Sequence, residues 1–238
     1  MIVQIYEVTT AAEARVLGGM GVDHIGILVG DGSFPREHTI EKAREILGAI
    51  PSRSKSSLLS LSRDVELIVQ LTAALNPDIL HLGAAPQHLL PQHLRTLKAE
   101  FPQISLMRSI PVIDESSIAL AQSYDGIADW LLLDSYEPGD RQIGALGVTH
   151  NWELDRRIIR SVRIPAIMAG GLGPENVQDA IRLAHPAGVD SKTKTDSNDG
   201  THTKDLQKVS AFAMAARRHN ISCQLTCEHS KRSFRRFR

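Results

Sequence analysis

The sequence predicts a single domain with the α/β fold class of a parallel (β/α)₈ TIM barrel. Eight short β-prone runs alternate with helical patterns over residues 1–218. Several runs, such as Trp130–Leu133, are apolar on consecutive residues, which is typical of parallel strands covered on both faces. The length of 238 residues also fits, because barrels of about 250 residues commonly form one domain.

The predicted strands are short, and the segments between them are long enough for a helix. In chain order they are Ile2–Val8, His24–Val29, Ser56–Ser60, Ile79–Leu82, Ser105–Ile110, Trp130–Ser135, Ala166–Ala169 and Ala187–Ser191. No Gly-x-Gly-x-x-Gly follows the first of them, which argues against an open dinucleotide-binding sheet. Eight βα units in a chain of this length therefore favour a closed barrel.

The segments between the strands carry apolar residues at a spacing near that of the α-helix, about 3.6 residues per turn. The clearest stripes are Leu90, Leu94, Leu97 and Phe101, then Val177, Ala180, Ile181 and Ala184, and finally Leu206, Val209, Phe212, Ala213 and Ala216. Because such stripes dock on a sheet, the sequence predicts an outer layer of helices around the strands.

Composition narrows the classes of partner. Lys plus Arg and Asp plus Glu each number 27, so the net charge indicates neither a nucleic acid nor a membrane surface. The sequence has no run of about 18 apolar residues. Met1 leads directly into an apolar run without a charged segment or cleavage site, so we expect a cytoplasmic protein. The oligomeric state stays open.

The helical pattern stops near residue 219, and residues 219–238 are polar and rich in Lys and Arg. We predict a basic, disordered tail, with an arm that binds RNA or anions as the alternative. Both cysteines, Cys223 and Cys227, lie in this tail near His229 and could in principle hold zinc. A frayed terminus is the preferred interpretation, so no metal site and no cofactor are predicted.

The most specific local pattern is a buried run ending at Ala169 that continues through Gly170 and Gly171 into a helix. Glycines let the backbone approach a ligand closely, and the free N–H groups of a helix start attract anions. A tight turn that simply requires glycine is the alternative. Since barrel sites lie at the carboxyl ends of the strands, we expect an anion between Gly171, the helix start at Asn176 and residues 192–194.

Several segments match, in order, the motifs of a known family. They are Val22–Gly26, Phe34–Arg36, Leu132–Asp134, Gly144–Trp152, Ala169–Val177, Gly188–Asp190 and Lys204–Asp205. Together they resemble the phosphoribosylanthranilate isomerase family of tryptophan biosynthesis over residues 2–208, which is nearly the whole barrel. The resemblance implies an isomerase that opens a phosphorylated ribosylamine into a ketose by an Amadori rearrangement.

The resemblance also implies roles for particular residues. The reaction needs an acid that protonates the ring oxygen and a base that removes the proton from sugar C2. Asp134, which follows three leucines at a strand end, matches the family's general acid; a helix cap or a salt bridge is its structural alternative. The residues expected to bind the phosphorylated substrate are Arg36, Gly147, Gly170, Gly171, Asn176, Lys192 and Lys194.

The chain departs from the family near the expected substrate. Tyr6 replaces the first-strand cysteine, which is the family's general base, and Glu7 replaces the glycine after it. His81 is one position away from the family's fourth-strand histidine. Glu7, Tyr6 and His81 are the candidate bases. A tyrosine with a pKa of about 10 is a poor base at pH 7, so we expect an altered substrate or reduced family activity.

Two other functions stay open. The family's eighth-strand Ser-Ser-Gly is replaced by Lys192-Thr193-Lys194. Either lysine could form a Schiff base with a phosphorylated carbonyl compound, giving lyase or aldolase chemistry, although electrostatic contact with phosphate is preferred. Loss of the cysteine could instead leave a non-catalytic protein that binds a phosphorylated metabolite.

Overall fold

The computed structural model describes residues 1–140, 143–144 and 146–218. The predicted basic tail at residues 219–238, with Cys223, Cys227 and His229, lies outside the described residues. Among the described residues, none of the helices combines the length and the hydropathy that a membrane-spanning segment requires.

The strands close into one parallel barrel in chain order, and the last strand pairs with the first. The strands are β1 (Ile2–Ile5), β2 (His24–Leu28), β3 (Lys55–Ser60), β4 (Ile79–Leu82), β5 (Ser105–Pro111), β6 (Trp130–Asp134), β7 (Ala166–Met168) and β8 (Gly188–Ser191). This architecture confirms the predicted (β/α)₈ barrel.

A helix follows each strand and covers the outside of the barrel. The helices are α1 (Ala11–Gly19), α2 (Ile40–Leu47), α3 (Val65–Leu75), α4 (Pro91–Glu100), α5 (Ser116–Ser123), α6 (Trp152–Ser161), α7 (Val177–Ala184) and α8 (206–218). Side-chain caps fix several starts: Thr10 accepts from the Glu13 N–H, and Asp64 accepts from the Glu66 N–H.

Alternation along the strands divides the barrel into two apolar layers. Outward-facing residues such as Leu80 and Leu131 pack against the helices in a large buried cluster. Inward-facing residues fill the lumen in a second cluster made of Tyr6, Ile79, Met107, Leu132, Ile167 and Ala169. Inward-facing side chains at the carboxyl ends of the strands therefore reach the site from inside the barrel.

Strand β1 was predicted to reach Val8, and that boundary is wrong because the strand ends at Ile5. The cause is Glu7, whose φ of 58° lies in the left-handed region and turns the chain out of the extended conformation. The Tyr6 N–H still donates to the Ser191 carbonyl. The predicted β4 bounds are confirmed, and each of the other strands differs from prediction by one residue at an end, as is usual for hydrogen-bonded boundaries.

The lumen accommodates the Tyr6 ring only because residue 26 is a glycine. A Cβ added at Gly26 would lie 2.1 Å from Cε1 of Tyr6. The ring is 4% exposed and belongs to the inner apolar cluster. The bulky residue on β1 and the missing side chain on β2 therefore form one packing unit.

We expect Gly26→Ala to lower the free energy of unfolding by about 1–3 kcal/mol, because the tyrosine ring must move out of a packed lumen. In a Tyr6→Cys background the same change should cost much less. Urea unfolding of both single variants and the double variant measures the coupling. Gly19→Ala is the matched control, since its added Cβ would have only an ordinary 3.5 Å contact. Additive losses would contradict the packing of Tyr6 on Gly26.

Candidate active site at the carboxyl ends of the strands

Two adjoining cavities open at the carboxyl ends of the strands. The first, called the glycine-side cavity here, is lined by Asp134, Gly147, Gly170, Gly171, Leu172, Asp190, Ser191, Lys192, Thr193 and Lys194. The second, the lumen cavity, is lined by Tyr6, Glu7, Leu59, Leu61, His81, Ser109, Leu132, Asp134, Ile143, Asp190 and Lys192. Both cavities include Asp134 and Asp190, so these two carboxyl groups lie between them.

Asp134 and Asp190 form a pair of carboxyl groups removed from bulk water. Asp134 ends β6, and its Oδ1 accepts the Ser135 N–H at 2.8 Å. Desolvation raises the pKa of Asp134 to about 6. Desolvation, followed by the charge of Asp134, raises the pKa of Asp190 to about 8. Among the described residues, Oδ1 of Asp190 has no hydrogen-bond partner, so this group is poised to meet a ligand.

Asp190 is a candidate site residue that the sequence analysis did not select. It lay inside the matched segment Gly188–Asp190, yet an aspartate between a valine and a serine has no distinctive local signal. Its inward position on β8, opposite Gln4 in the register with β1, follows only from barrel closure. One feature of the sequence could have indicated it: Asp190 lies one residue before the end of a strand, where site residues of barrel enzymes are found.

Tyr6 and His81 lie close together, but both belong to a buried network of side-chain hydrogen bonds. The Tyr6 hydroxyl lies 2.5 Å from Oγ of Ser57 and 2.8 Å from Nδ1 of His81. Nε2 of His81 lies 2.7 Å from Oγ of Ser109. Burial raises the pKa of Tyr6 well above its ordinary value and lowers the pKa of His81 to about 3. The side chains of this network therefore stay neutral at pH 7 and are linked by hydrogen bonds across the lumen.

Glu7 lies at the same rim and faces two cations. Its carboxylate accepts from Nε of Arg36 at 2.5 Å and from Nη2 at 3.3 Å. Nζ of Lys192 lies 3.6 Å from the same carboxylate and 3.1 Å from Asp196. Asp196 also pairs with Nζ of Lys204 at 2.5 Å. Arg36 and Lys192, both expected to hold the substrate, thus already have carboxylate partners.

The remaining expected binding residues separate into lining residues and one supporting residue. Gly147, Gly170 and Gly171 line the glycine-side cavity with φ of 67°, 74° and 61°. Lys194 lines it too, is exposed, and has no acidic partner among the described residues. Asn176 is not a lining residue; its Nδ2 donates to the Gly171 carbonyl and its Oδ1 accepts the Gly173 N–H. Asn176 therefore fixes the shape of the glycine turn.

A histidine–aspartate pair lies behind the glycine turn. Nε2 of His150 is 2.8 Å from Oδ2 of Asp155, and both side chains are almost fully buried. A Cβ added at Gly170 would lie 2.6 Å from Nδ1 of His150, so the glycine leaves room for the imidazole. Burial raises the pKa of Asp155. In the described part of the chain, no group of three or more His, Cys, Asp or Glu residues is arranged to hold a metal ion.

A closed barrel with carboxyl groups and a glycine turn at the carboxyl ends of its strands has the architecture of a barrel enzyme, with its candidate site at the usual end of the strands. The family model of N-(5'-phosphoribosyl)anthranilate isomerase matches residues 20–215. The chain belongs to this family.

Curated relatives and solved structures agree with this placement. The chain is 34% identical to the N-(5'-phosphoribosyl)anthranilate isomerase of Methanocella arvoryzae, over 88% of this chain and 95% of that protein. It is 30% identical to the enzyme of Haloferax volcanii, over 90% of this chain and 92% of that protein. The structure of the Pyrococcus furiosus isomerase matches with a TM-score of 0.73 at 25% identity, over 92% of this chain and 99% of that chain.

A further structural match is an isomerase in complex with reduced 1-(o-carboxyphenylamino)-1-deoxyribulose 5-phosphate, with a TM-score of 0.71 at 22% identity. It covers 91% of this chain and 98% of that chain. The predicted family, the isomerase class and the barrel are thus confirmed. Schiff-base lyase chemistry is not favoured, and Lys192, one of its two candidate lysines, lies between two carboxylates.

The raised pKa of Asp190 predicts a stability that falls with rising pH. Its pKa rises from 3.8 to about 8 on folding, so the folded state retains a proton that the unfolded chain has lost. This contribution is complete below about pH 4 and disappears as the pH rises through about 8. We expect the free energy of unfolding, measured in urea, to fall between about pH 4 and 8 and to level off at higher pH, and to fall less in Asp190→Asn. Equal slopes would contradict the assignment.

Proposed function

We propose that this protein catalyses the Amadori-type isomerisation of a phosphorylated N-ribosylamine, the reaction class for which its relatives are named. N-(5'-phosphoribosyl)anthranilate is the reference substrate given by those names. The observation that carries the proposal is that Asp134 and Asp190 line one cavity beside the Gly170–Gly171 turn. A cytoplasmic location and a phosphorylated small molecule as the only partner are part of the proposal.

The two aspartates supply both proton-transfer functions that the reaction needs. Between about pH 6 and 8 the pair holds one proton, because ionisation of Asp134 raises the pKa of Asp190. One carboxyl group can therefore protonate the ring oxygen while the other, as a carboxylate, removes the proton from sugar C2. The roles belong to the pair, since coupled groups titrate together. No thiol is required.

The glycine-side cavity is suited to the phosphate of the substrate. Gly170 and Gly171 have positive φ, and an added Cβ at Gly171 would lie 2.7 Å from the Val148 carbonyl carbon. The turn is therefore compact, and its backbone can approach an anion closely. Lys194 adds a positive charge with no acidic partner among the described residues. Its ammonium group can neutralise part of the phosphate charge.

The lumen cavity limits turnover of the reference substrate. It encloses about 50 Å³, room for a few water molecules, because the Tyr6 ring occupies the space above Gly26. The hydroxyl of Tyr6 is held by Ser57 and His81 and keeps its proton at neutral pH. Tyr6 therefore removes room for the sugar without replacing the function of the family's thiol.

Asp134→Asn and Asp190→Asn should each reduce kcat by a factor of about 10² to 10⁴, the usual contribution of a positioned acid or base. In the parent protein kcat/KM should be bell-shaped, rising through about pH 6 and falling through about pH 8. Steady-state assays across pH check both effects. Asp179→Asn on the exposed side of α7 is the control, and it should leave the profile unchanged. Full activity of Asp190→Asn would overturn the paired mechanism.

The parent protein should convert N-(5'-phosphoribosyl)anthranilate with kcat/KM below about 10⁴ M⁻¹s⁻¹, the low end for ordinary enzymes. Tyr6→Cys should raise this value by a factor of about 10² or more, because it restores both space and a titratable thiol. Complementation of a tryptophan auxotroph that lacks this isomerase gives the same comparison in cells. Tight binding without turnover by either form would favour the non-catalytic alternative.

A further inference from the structure

Glu7 and Arg36 form an ion pair whose two members both have strained backbones. Their φ angles are 58° and 69°, in the left-handed region that residues with a side chain seldom adopt. Glu7 is 7% exposed and accepts two hydrogen bonds from the guanidinium of Arg36. Such strain persists only where the surrounding structure over-determines it, and it concentrates at ligand sites. The pair lies at the rim, because Glu7 lines the lumen cavity.

This ion pair changes the balance of charge that a substrate meets. A phosphorylated anthranilate derivative brings two anionic groups, the phosphate and the aromatic carboxylate. Around the two cavities, three cations already have carboxylate partners. Glu7 pairs with Arg36 and Lys192, and Asp196 pairs with Lys192 and Lys204. In the described part of the rim, Lys194 is left without an acidic partner, and it lies on the glycine side with Gly147 and Gly171. Among the described residues, the site therefore offers a phosphate one cation without an acidic partner, whereas Arg36 and Lys192 next to the lumen cavity are already in ion pairs.

The surface next to the lumen cavity is acidic as well. A neighbouring cavity, which shares Leu61 with the lumen cavity, is lined by Asp31, Glu37 and Asp64, with Arg63 and His88 opposing them. A carboxylate arriving there meets more negative than positive charge. Displacing Glu7 from Arg36 would also leave a buried carboxylate without its main partner, which is costly.

We propose that Glu7 is a specificity-determining residue that weakens the binding of a substrate whose N-substituent carries a carboxylate. This proposal rests on the proposed function and narrows the substrate class to phosphorylated N-ribosylamines whose N-substituent is uncharged or cationic. Glu7 acts by pairing with Arg36 and Lys192, so that neither cation is available to a carboxylate on the substrate. The motif of the family has glycine at this position, so the acidic group is a departure from that motif.

Calorimetric binding of two stable product analogues tests the proposal without requiring turnover. One is reduced 1-(o-carboxyphenylamino)-1-deoxyribulose 5-phosphate, and the other is the same compound without the carboxylate. The parent protein should bind the uncarboxylated compound at least about 10-fold more tightly, a ratio set by one unfavourable charge contact. Glu7→Gln should remove or reverse that preference, and Glu7→Gly, which also relieves the positive φ, should reverse it.

Glu41→Gln is the charge-matched control, because Glu41 lies exposed in the first turn of α2 and should leave the ratio unchanged. A parent protein that binds the carboxylated compound as tightly as the other would overturn the proposal. So would a ratio that Glu7→Gln does not alter. A failure of the proposed function alone would give a different result. The parent protein would still prefer the uncarboxylated analogue, but neither Asp134→Asn nor Asp190→Asn would alter turnover. Binding of neither analogue would contradict both proposals.

Discussion

The pairing of β1 with β8 is the contact on which the site depends. It brings the first residues of the chain against residues almost two hundred positions later, with Gln4 opposite Asp190 and Ile5 opposite Ser191. Without this closure Glu7 would not meet Lys192, and Asp190 would lie at an open edge in contact with water. Closure thus creates both the ion pairs at the rim and the desolvation that keeps a proton on Asp190 at neutral pH.

Glycines at three positions let the inner layers of the barrel approach closely. Gly26 leaves space for the Tyr6 ring, Gly170 for the His150 imidazole, and Gly171 for the backbone of residues 147–149. In each case a side chain or loop from another βα unit fills the space that a Cβ would occupy. The rim is therefore densely packed, and small changes of side-chain volume there alter both stability and the room for a ligand.

Charge is distributed unevenly around the site, and this decides its chemistry. The carboxyl pair between the two cavities has raised pKa values, so it can exchange protons near neutral pH. Most of the cations around this pair form ion pairs with Glu7 or Asp196. The fold and the glycine turn are shared with the family, whereas the first strand end and the eighth-strand loop differ. A glycine turn like that of the family next to an altered rim agrees with the proposal that the same framework acts on a changed substrate.

The sequence by itself determined the eight βα units, the barrel, the glycine turn and the position of Asp134, because apolar periodicity and turn residues are local properties of the chain. Local patterns could not place Asp190 beside Asp134, since the two are separated by 56 positions in the numbering and meet only across the closed barrel. The end of β1 was not predicted either, because a positive φ is rare for a glutamate and the residue type does not indicate it. Tertiary structure alone decided which lysine is free: Lys192 and Lys194 are equivalent in the sequence, but one turns to Glu7 and Asp196 while the other lines the glycine turn. Charges are paired through space, and a sequence fixes their number and not their partners.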